Sequence, residues 1–365
     1  MLLTIQKLFN DPNIVSASID RVLQAGLDRI YWQQYLTFRR TTTRVFKDYL
    51  GTVTGVMAGS VNSRYGEKPI RERKSLGSGY GEIAYLGDAY QMDVERLSEL
   101  QDLIDKYNES RTQDQVAALN EIIAFITDDY RQVILAPHKR MDIIVGSLLS
   151  TGKATVKNKD NAEGIELLDI ELPYKFITPE SSEVIVDSKK MFISYFQKKV
   201  NELKAEFGTF QKMLMSRASF NKFIIGSSEF TDTFKLTFPQ SQFNLSSGLM
   251  TGEMANQLFQ GIGLPMIEIK EDYVVDQDGK NVQIFKDNRV TLLRQDMVGY
   301  MRHHTPYEST DPVAGRQYNA VGENNGQMLI SNYRDKNGRY MEYTAEWIPQ
   351  ITAPNKVVNF NLEAF

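Results

Sequence analysis

The chain has 365 residues, of which 42% are hydrophobic and 24% are charged, enough apolar material for one large or two medium domains with buried cores. A net charge of −4 gives no strong nucleic-acid or membrane signature, and the absence of cysteine excludes disulfides and thiolate metal sites. No apolar run approaches the roughly 18 residues of a membrane span and the N-terminus lacks a signal-peptide pattern, so we expect an unprocessed protein that stays in the cell or in a particle assembled there.

The charge is unevenly distributed along the chain. Residues 1–90 hold 12 basic and 8 acidic side chains, a net of +4, whereas residues 91–365 hold 30 and 38, a net of −8. Two segments of opposite charge can attract each other between copies of one protein.

The first ninety residues divide into two stretches. Residues 14–36 carry apolar side chains at helical spacing, which predicts a helix. Residues 46–91 are rich in glycine, poor in apolar residues and carry the cluster Arg71-Glu72-Arg73-Lys74. Long loops are uncommon in compact domains, so we interpret this stretch as a weakly packed excursion, built as a two-stranded ribbon.

Helices are predicted next. Asp93 can cap a helix with Val94, Leu97, Leu100 and Ile104 on one face. Thr112-Gln113-Asp114-Gln115 fits a capping box that opens a longer apolar stripe, kinked or restarted at Pro137 and ended by Gly152 as a C-cap. A further amphipathic helix is predicted from Ser188 to Gly208, and shorter ones at 216–225 and 253–259.

Strands dominate the rest of the chain. They are predicted at 153–157, 165–172, 264–269, 272–275, 282–285, 290–293, 328–333, 339–347 and 357–362. Asp278-Gly279 and Asn337-Gly338 predict hairpin turns, and Ile348-Pro349 is expected to end its strand. Strands and helices do not alternate regularly, which indicates the α+β class.

The search for a catalytic or cofactor site gives mostly negative expectations. Gly146–Lys153 resembles a phosphate-binding loop, but its glycine spacing is one residue too long and Ala154 replaces the Ser/Thr that would hold magnesium. It also follows a helix instead of preceding one, so a helix C-cap is the better interpretation. Gly77-Ser78-Gly79-Tyr80-Gly81 is interpreted as a flexible loop, since a dinucleotide fingerprint needs a strand before it and a helix after it.

Metal and nucleic-acid sites are not expected either. Asp272, Asp276 and Asp278 lack the ligand spacing of a calcium loop. His303 and His304 would face opposite sides of a strand, and His138 is expected to be solvated. The basic cluster at 71–74 is short and interrupted by an acid, and a sequence-reading module would show a fold signature. We expect no catalytic residue, metal or cofactor.

Four ordered stretches carry a resemblance to a known family. They are the glycine-rich segment ending at Ala84-Tyr85-Leu86-Gly87; the helix end Ser147–Lys153 with the following strand pair; Lys212-Met213-Leu214-Met215-Ser216; and the run from Gly263-Leu264-Pro265 through Asp272-Tyr273, Asp278-Gly279 and Asn288–Leu293 to Val298-Gly299. Their order resembles the lambda-like major capsid proteins of tailed bacteriophages, which have the Hong Kong 97 fold. Trp347-Ile348-Pro349 and 355–361 resemble the family's closing strand.

The resemblance covers about residues 46–365 and implies a division of the chain. It implies an N-terminal arm (1–45), an extended loop (46–91), a peripheral domain with a long spine helix (92–180 and 326–365) and an axial domain (181–325). Arg71, Arg73 and Lys74 of the loop would contact a neighbouring subunit, because a segment poor in apolar residues must pack on another surface.

The implied function is structural. The protein would self-assemble into hexamers and pentamers of an icosahedral shell that encloses phage double-stranded DNA, with non-specific phosphate contacts and scaffolding, decoration and portal proteins as further partners. It would act in the virion after assembly in the host cytoplasm, without a membrane or a catalytic role. Two alternatives stay open: an encapsulin-like cellular nanocompartment shell and, less favoured, a nucleotide-binding enzyme using Gly146–Lys153.

Overall fold

The structure is a computed structural model that describes residues 2–24, 30–50, 77–110, 112–157, 166–172, 175–186, 189–237, 252–276, 279–322, 326–336, 338–352 and 357–365. Its helices are α1 (Ile5–Asn10), α2 (Pro12–Gln24), α3 (Val94–Glu109), α4 (Thr112–Thr151), α5 (Ser181–Val184), α6 (Phe192–Phe207), α7 (Arg217–Phe220), α8 (Ser228–Thr237) and α9 (Gly252–Gly261). A π-helical turn, Asn221–Ile225, continues α7.

Strands occur along the whole chain. They are β1 (Leu36–Arg40), β2 (Val45–Leu50), β3 (Gly77–Glu82), β4 (Ala84–Met92), β5 (Lys153–Lys157), β6 (Glu166–Glu171), β7 (Lys175–Ile177), β8 (Ile185–Val186), β9 (Lys189–Lys190), β10 (Lys212–Ser216), β11 (Met266–Lys270), β12 (Tyr273–Val275), β13 (Asn281–Gln283), β14 (Arg289–Leu293), β15 (Gly299–His304), β16 (Gln317–Val321), β17 (Met328–Asp335), β18 (Gly338–Ile351) and β19 (Val357–Asn361). The predicted mixture of helix and sheet is confirmed.

Two larger sheets organise these strands. One has six strands, in which β1, β15, β18, β17 and β16 follow one another and β4 also pairs with β18. The other has five strands in the order β11, β10, β14, β19 and β7. β15 belongs to the predicted axial segment and β19 to the predicted peripheral one, yet each pairs with a strand of the other segment. The domain division remains a prediction.

The forty-residue helix α4 lies against one face of the six-stranded sheet. Its inward side chains, among them Ile122, Ile126, Tyr130 and Leu148, are fully buried in a core shared with that sheet and with α1, α2 and α3. A second core lies between α6 and the five-stranded sheet and is rich in phenylalanine. The apolar stripe predicted for α4 therefore holds, and Pro137 lies inside the continuous helix.

Two of the caps predicted for this region are present, at Asp93 and Gly152. The Asp93 side chain accepts a hydrogen bond from the backbone N of Arg96 and begins α3, although Val94 is 79% exposed and does not join the apolar face. Gly152 has φ +72° directly after α4, and its N–H donates to the carbonyl of Leu148. The left-handed conformation ends the helix there, as predicted.

The predicted helix over residues 14–36 is wrong at its C-terminal end. Trp32–Gln34 forms a short 3-10 turn and Leu36–Arg40 forms β1, which pairs in parallel with β15. Leu36 and Phe38 stand opposite Gly299 and Met301. Pairing with a strand about 260 residues away in the sequence decides the conformation, so local helical spacing is overridden.

Two expectations for the glycine-rich excursion also need correction. The loop predicted at residues 77–81 is instead strand β3, paired with β2. Residues 84–91, assigned to the excursion, form most of β4, which pairs with β18 along nine positions. The predicted two-stranded ribbon is confirmed at its base, and its remainder, residues 51–76, lies outside the described residues.

Two strand and helix ends differ from prediction. β18 continues through Pro349 to Ile351, because beyond Trp347 its only pairing among the described strands is with β15. A strand with one open side tolerates a residue that lacks an N–H. Helix α6 begins at Phe192 after Met191, and Ser188, its predicted start, lies outside the described residues.

Candidate functional interaction surface

The predicted contact residues Arg71, Arg73 and Lys74 lie outside the described residues, so their surroundings stay a prediction. The structure instead shows where the segment that carries them leaves the fold. Strands β2 and β3 pair antiparallel from Val45 opposite Glu82 to Leu50 opposite Gly77. The backbone N of Ile83 donates to the carbonyl of Arg44 at 3.0 Å and closes the base of this ribbon beside β4.

A buried carboxylate anchors the base of the ribbon. Arg44 donates from Nη2 to Oε1 of Glu346 at 2.6 Å and from Nε to Oε2 at 3.1 Å, a two-pronged contact. The Glu346 side chain is 3% exposed and that of Arg44 is 52% exposed. The hydrogen bond with Glu346 raises the pKa of Arg44 above its ordinary value. The pair fixes the start of the ribbon against the centre of the six-stranded sheet.

His304 completes this anchor. Its Nδ1 lies 2.9 Å from Oε2 of Glu346. His303, the preceding residue of β15, faces the opposite side, where its ring packs edge-on against Phe38 at 5.5 Å. The predicted opposite orientation of the two histidines is confirmed. Among the residues that the structure describes, no group of three or more potential metal ligands occurs.

His138 contradicts its predicted solvated state. It is 8% exposed, and its ring stacks on Trp32 with centroids 5.7 Å apart and an angle of 8°. Burial lowers the pKa of His138 to about 4. The sequence placed His138 near a helix start, whereas it lies inside α4 on the face that the N-terminal residues cover.

The phosphate-loop-like motif forms a helix end, as expected. Residues 146–151 are the last turns of α4, and β5 starts at Lys153. The side chains of Ser147 and Thr151 both donate to the carbonyl of Lys153, at 2.8 and 3.0 Å. Asp276 lies in the predicted β12–β13 hairpin and pairs with Arg140 at 3.3 Å, while Asp278 lies outside the described residues.

Helix α3 presents an acidic surface. Its two basic residues turn toward α4, where Arg96 pairs with Asp129 at 2.9 Å and Lys106 with Glu121 at 2.6 Å. Its exposed carboxylates have no ion pair with any described residue; they are Glu95, Glu99, Asp102, Asp105 and Glu109. Acids spaced three or four residues apart repel one another along a helix, so this surface can accept positive charge.

Residues 51–76 have the opposite charge. They hold five basic residues and two acidic ones, a net of +3. Strand β2 ends at Leu50 and β3 begins at Gly77, so the segment is connected to the end of the ribbon that lies farthest from β4.

Sequence reasoning missed the anchor of the ribbon. Arg44 and Glu346 are 302 positions apart, and neither belongs to a motif. The acidic residues of α3 are visible in the sequence, but only the structure shows that both of its cations turn toward α4. Among the described residues, no helix is long and apolar enough to cross a membrane.

Comparisons with known proteins show similarity to solved structures only. No protein-family model and no curated protein matches the chain. The putative capsid protein of a prophage of E. coli CFT073 matches with a TM-score of 0.58 and 14% identity, over 96% of this chain and 98% of that one. A phage-related protein from Bordetella bronchiseptica RB50 matches with a TM-score of 0.47 and 11% identity, over 96% of each chain.

An encapsulin complex from Synechococcus elongatus PCC 7942 also matches, with a TM-score of 0.38 and 10% identity, over 92% of this chain and 88% of that one. This likeness and the Bordetella one are too distant to carry an argument. The E. coli prophage protein is different, because its TM-score of 0.58 is higher and its agreement also spans nearly the full length of both chains. The expected capsid-type architecture is confirmed at that level: this chain has the fold of a prophage capsid protein.

Proposed function

We propose that this chain is the major capsid protein of a lambda-like tailed bacteriophage, with the Hong Kong 97 form of the capsid fold. The observation that carries the proposal is the full-length structural agreement with the prophage capsid protein. Subunits assemble into hexamers and pentamers of an icosahedral shell that encloses double-stranded DNA. The protein acts in the virion, is assembled in the host cytoplasm and has no enzymatic role.

The predicted division of the chain forms part of this proposal. Residues 1–45 are the arm, 46–91 the extended loop, 92–180 with 326–365 the peripheral domain, and 181–325 the axial domain. The helix α4 serves as the spine, and its buried stripe against the six-stranded sheet supports that assignment. Scaffolding, decoration and portal proteins are the expected partners, with non-specific contact between the inner surface and DNA phosphates.

The contact between neighbouring subunits follows from charge. The basic residues Arg71, Arg73 and Lys74 of one copy meet the exposed carboxylates of α3 on another. The acidic surface of α3 and the net charge of +3 over residues 51–76 support this pairing. Each exposed ion pair contributes only about 0–1 kcal/mol, but closed shells repeat one interface many times.

Electron microscopy of the purified protein at high concentration tests assembly. We expect closed shells built from pentamers and hexamers, and a protein that stays monomeric at every concentration would contradict the proposal. Particles recovered from producing cells separate the two shell functions. A DNA-filled shell with a tail vertex indicates a phage, whereas a shell that holds protein cargo indicates the encapsulin-like alternative.

Calorimetry with ATP tests the remaining alternative. We expect no binding heat, because Ser147 and Thr151 of the phosphate-loop-like motif donate their hydroxyl groups to the backbone.

Charge reversal tests the proposed interface. Replacing Arg71, Arg73 and Lys74 by Glu should leave the far-UV circular dichroism unchanged, while sedimentation shows loss of particles or their dependence on salt. A matched control replaces Lys189, Lys190 and Lys198 by Glu, which gives the same change in net charge. These three lysines are exposed and distant in sequence from the loop. Particles should then persist.

A rescue variant makes the interface test specific for α3. Adding Glu95→Lys, Glu99→Lys and Asp102→Lys to the reversed loop should restore particles, because the two surfaces again carry opposite charges. Normal particles from the triple Glu variant would refute the contact. Failure of the rescue with intact subunit folding would refute α3 as the receiving surface.

A further inference from the structure

Residues 31–35 join the N-terminal helices to β1, and Trp32 lies at their centre with no exposed surface. The backbone N of Trp32 donates to Oδ1 of Asp142 at 2.9 Å. Its indole Nε1 donates to Nδ1 of His138 at 3.3 Å, and the two rings are stacked. His138 and Asp142 are four residues apart on α4, so they share one face of the helix. Two titratable side chains thus hold one tryptophan.

Asp142 is a carboxyl group in an unfavourable place for a charge. Its side chain has no exposed surface, and the nearest cation, Nζ of Lys139, lies 3.7 Å from Oδ2. Burial raises the pKa of Asp142 to about 7, despite opposing contributions from the Trp32 and Tyr31 backbone and from Lys139; the negative charge of Asp272 raises it further. The closed arrangement, in which Trp32 is hydrogen-bonded to Asp142 and His138, therefore favours the protonated carboxyl group of Asp142 up to about neutral pH.

His138 has the opposite preference. Its ring is enclosed by Trp32, Phe38 and Trp347, with centroid distances of 5.7, 6.4 and 4.8 Å. Burial lowers the pKa of His138 to about 4, and the positive charge of Lys139 lowers it further. The closed arrangement therefore favours the neutral imidazole, which can accept the indole hydrogen bond.

We propose that His138 and Asp142 form a compensated latch: when Trp32 withdraws, Asp142 releases a proton and His138 takes one up, so the joint between the N-terminal segment and β1 stays closed across mildly acidic pH. No net proton enters or leaves while both exchanges are active. If only one of the two side chains were present, the opening equilibrium would depend strongly on pH. Asp142 alone would favour opening as pH rises, and His138 alone would favour opening as pH falls.

The signs follow from the two pKa shifts. For Asp142 the pKa falls from about 7 to its ordinary 3.8 on opening, so this group favours opening as pH rises between those values. For His138 the pKa rises from about 4 to 6.5 on opening, so this group favours opening as pH falls between those values. Each effect reaches at most about tenfold in the opening equilibrium per pH unit, and the two offset each other between roughly pH 4 and 6.5.

Lys270 holds the other flank of the joint. Nζ of Lys270 donates to Oε1 of Gln34 at 2.9 Å and to Oε1 of Glu268 at 2.5 Å. It also lies 4.9 and 5.0 Å from the ring centroids of Tyr31 and Tyr35. None of these four contacts is made by the side chain of His138 or Asp142, so substitution of either residue removes no atom that contacts Lys270.

Amide hydrogen exchange of the full-length chain, followed by mass spectrometry of a peptide containing Trp32, tests the latch. After correction for intrinsic exchange rates, we expect the opening equilibrium of the unaltered protein to change less than about threefold between pH 5 and 6.5. In the Asp142→Asn variant the opening equilibrium should increase as pH falls, and in the His138→Gln variant it should increase as pH rises. Each change should reach up to about tenfold per pH unit. Asp128→Asn, an exposed change on the same helix, should match the unaltered protein.

Two results would overturn the latch. One is that the opening equilibrium changes with pH equally and in the same direction in the two variants. The other is that the opening equilibrium of the unaltered protein depends steeply on pH. Circular dichroism checks that each variant is folded. If either is unfolded, carboxyl-carbon NMR of Asp142 in the unaltered protein decides: a titration midpoint near 7 supports the latch and a midpoint near 4 refutes it.

Discussion

The C-terminal end of α4 and the base of the β2–β3 ribbon are both fixed by buried polar groups, but of different kinds. At the helix end, Asn359 Nδ2 donates to the carbonyl oxygens of Leu149 and Ser150 at 3.3 and 2.5 Å, and Thr291 Oγ1 donates to that of Leu149 at 2.8 Å. All these contacts are neutral. At the ribbon base, Glu346 instead binds Arg44 and His304.

The difference indicates which region can respond to its surroundings. The neutral network is fully enclosed, so salt and pH should affect it little. The charged anchor reaches water through Arg44, whose side chain is 52% exposed, so ionic strength should weaken it. We therefore expect the helix end to keep its hydrogen bonds under all conditions in which the protein is folded. The ribbon base can open locally while the core stays folded. Four substitutions test this contrast, in order of expected effect.

Gly146→Val should cause the largest loss of stability. A Cβ at Gly146 would lie 2.2 Å from Cγ2 of Ile284 and 2.4 Å from its carbonyl oxygen. Since the backbone must move, we expect unfolding free energy to fall by about 3 kcal/mol, measured by urea denaturation. Gln132→Val, an exposed change on the same helix, should cost about 0.5 kcal/mol. Equal losses would show that helix propensity, and not close packing, dominates.

Asn359→Ala should cost about 2 kcal/mol, because the helix-end carbonyl of Ser150 loses its donor in a buried site. The loss should be the same at low and high salt, since no ion takes part. Asn319→Ala, at a half-buried position of β16, serves as the control with little change. A strong salt dependence of the Asn359 variant would contradict the neutral character of this network.

Gly152→Ala should cost about 1.5 kcal/mol, the usual penalty of a left-handed conformation for an L-residue. Gly152 has φ +72°, and its C-cap role concerns folding alone. Thermal melting measures the loss. An unchanged melting temperature would mean that the end of α4 is not as described.

Glu346→Gln should have the smallest effect, about 1 kcal/mol, because the exposure of Arg44 limits the value of the pair. Local hydrogen exchange should nevertheless rise in β2 and β3, and the salt sensitivity of that exchange should disappear. Glu363→Gln, which removes a more exposed partner of Arg289, should leave the ribbon unchanged. An Arg44→Gln, Glu346→Gln double variant that loses the full sum of both single losses would refute the coupling.

Local patterns predicted many elements correctly. Asp93, Gly152 and Gly208 cap or end helices as expected, since cap chemistry depends on a few neighbouring residues. The hairpin of β12 with β13 also follows from its turn residues. The candidate contact at Arg71, Arg73 and Lys74 came from composition and resemblance, and it remains a prediction.

Other elements depended on partners far away in sequence. The helix predicted over residues 14–36 gives way to a 3-10 turn at Trp32–Gln34 and to β1, which begins at Leu36 and pairs with β15. Strand β4 has the composition of a loop but pairs with β18. The ribbon anchor at Glu346 and the enclosure of His138 by Trp32 and Trp347 belong to the same group. None of these elements and contacts can be predicted from the residues of its own segment alone.

The sequence by itself determined the mixed class, the amphipathic helices, their caps and most hairpins, because periodicity and turn chemistry act over a few residues. Tertiary structure alone decided which strands share a sheet, which polar side chains are buried and where the basic segment leaves the fold. The free energy of burying a charge or pairing a strand depends on groups that folding brings from elsewhere in the chain.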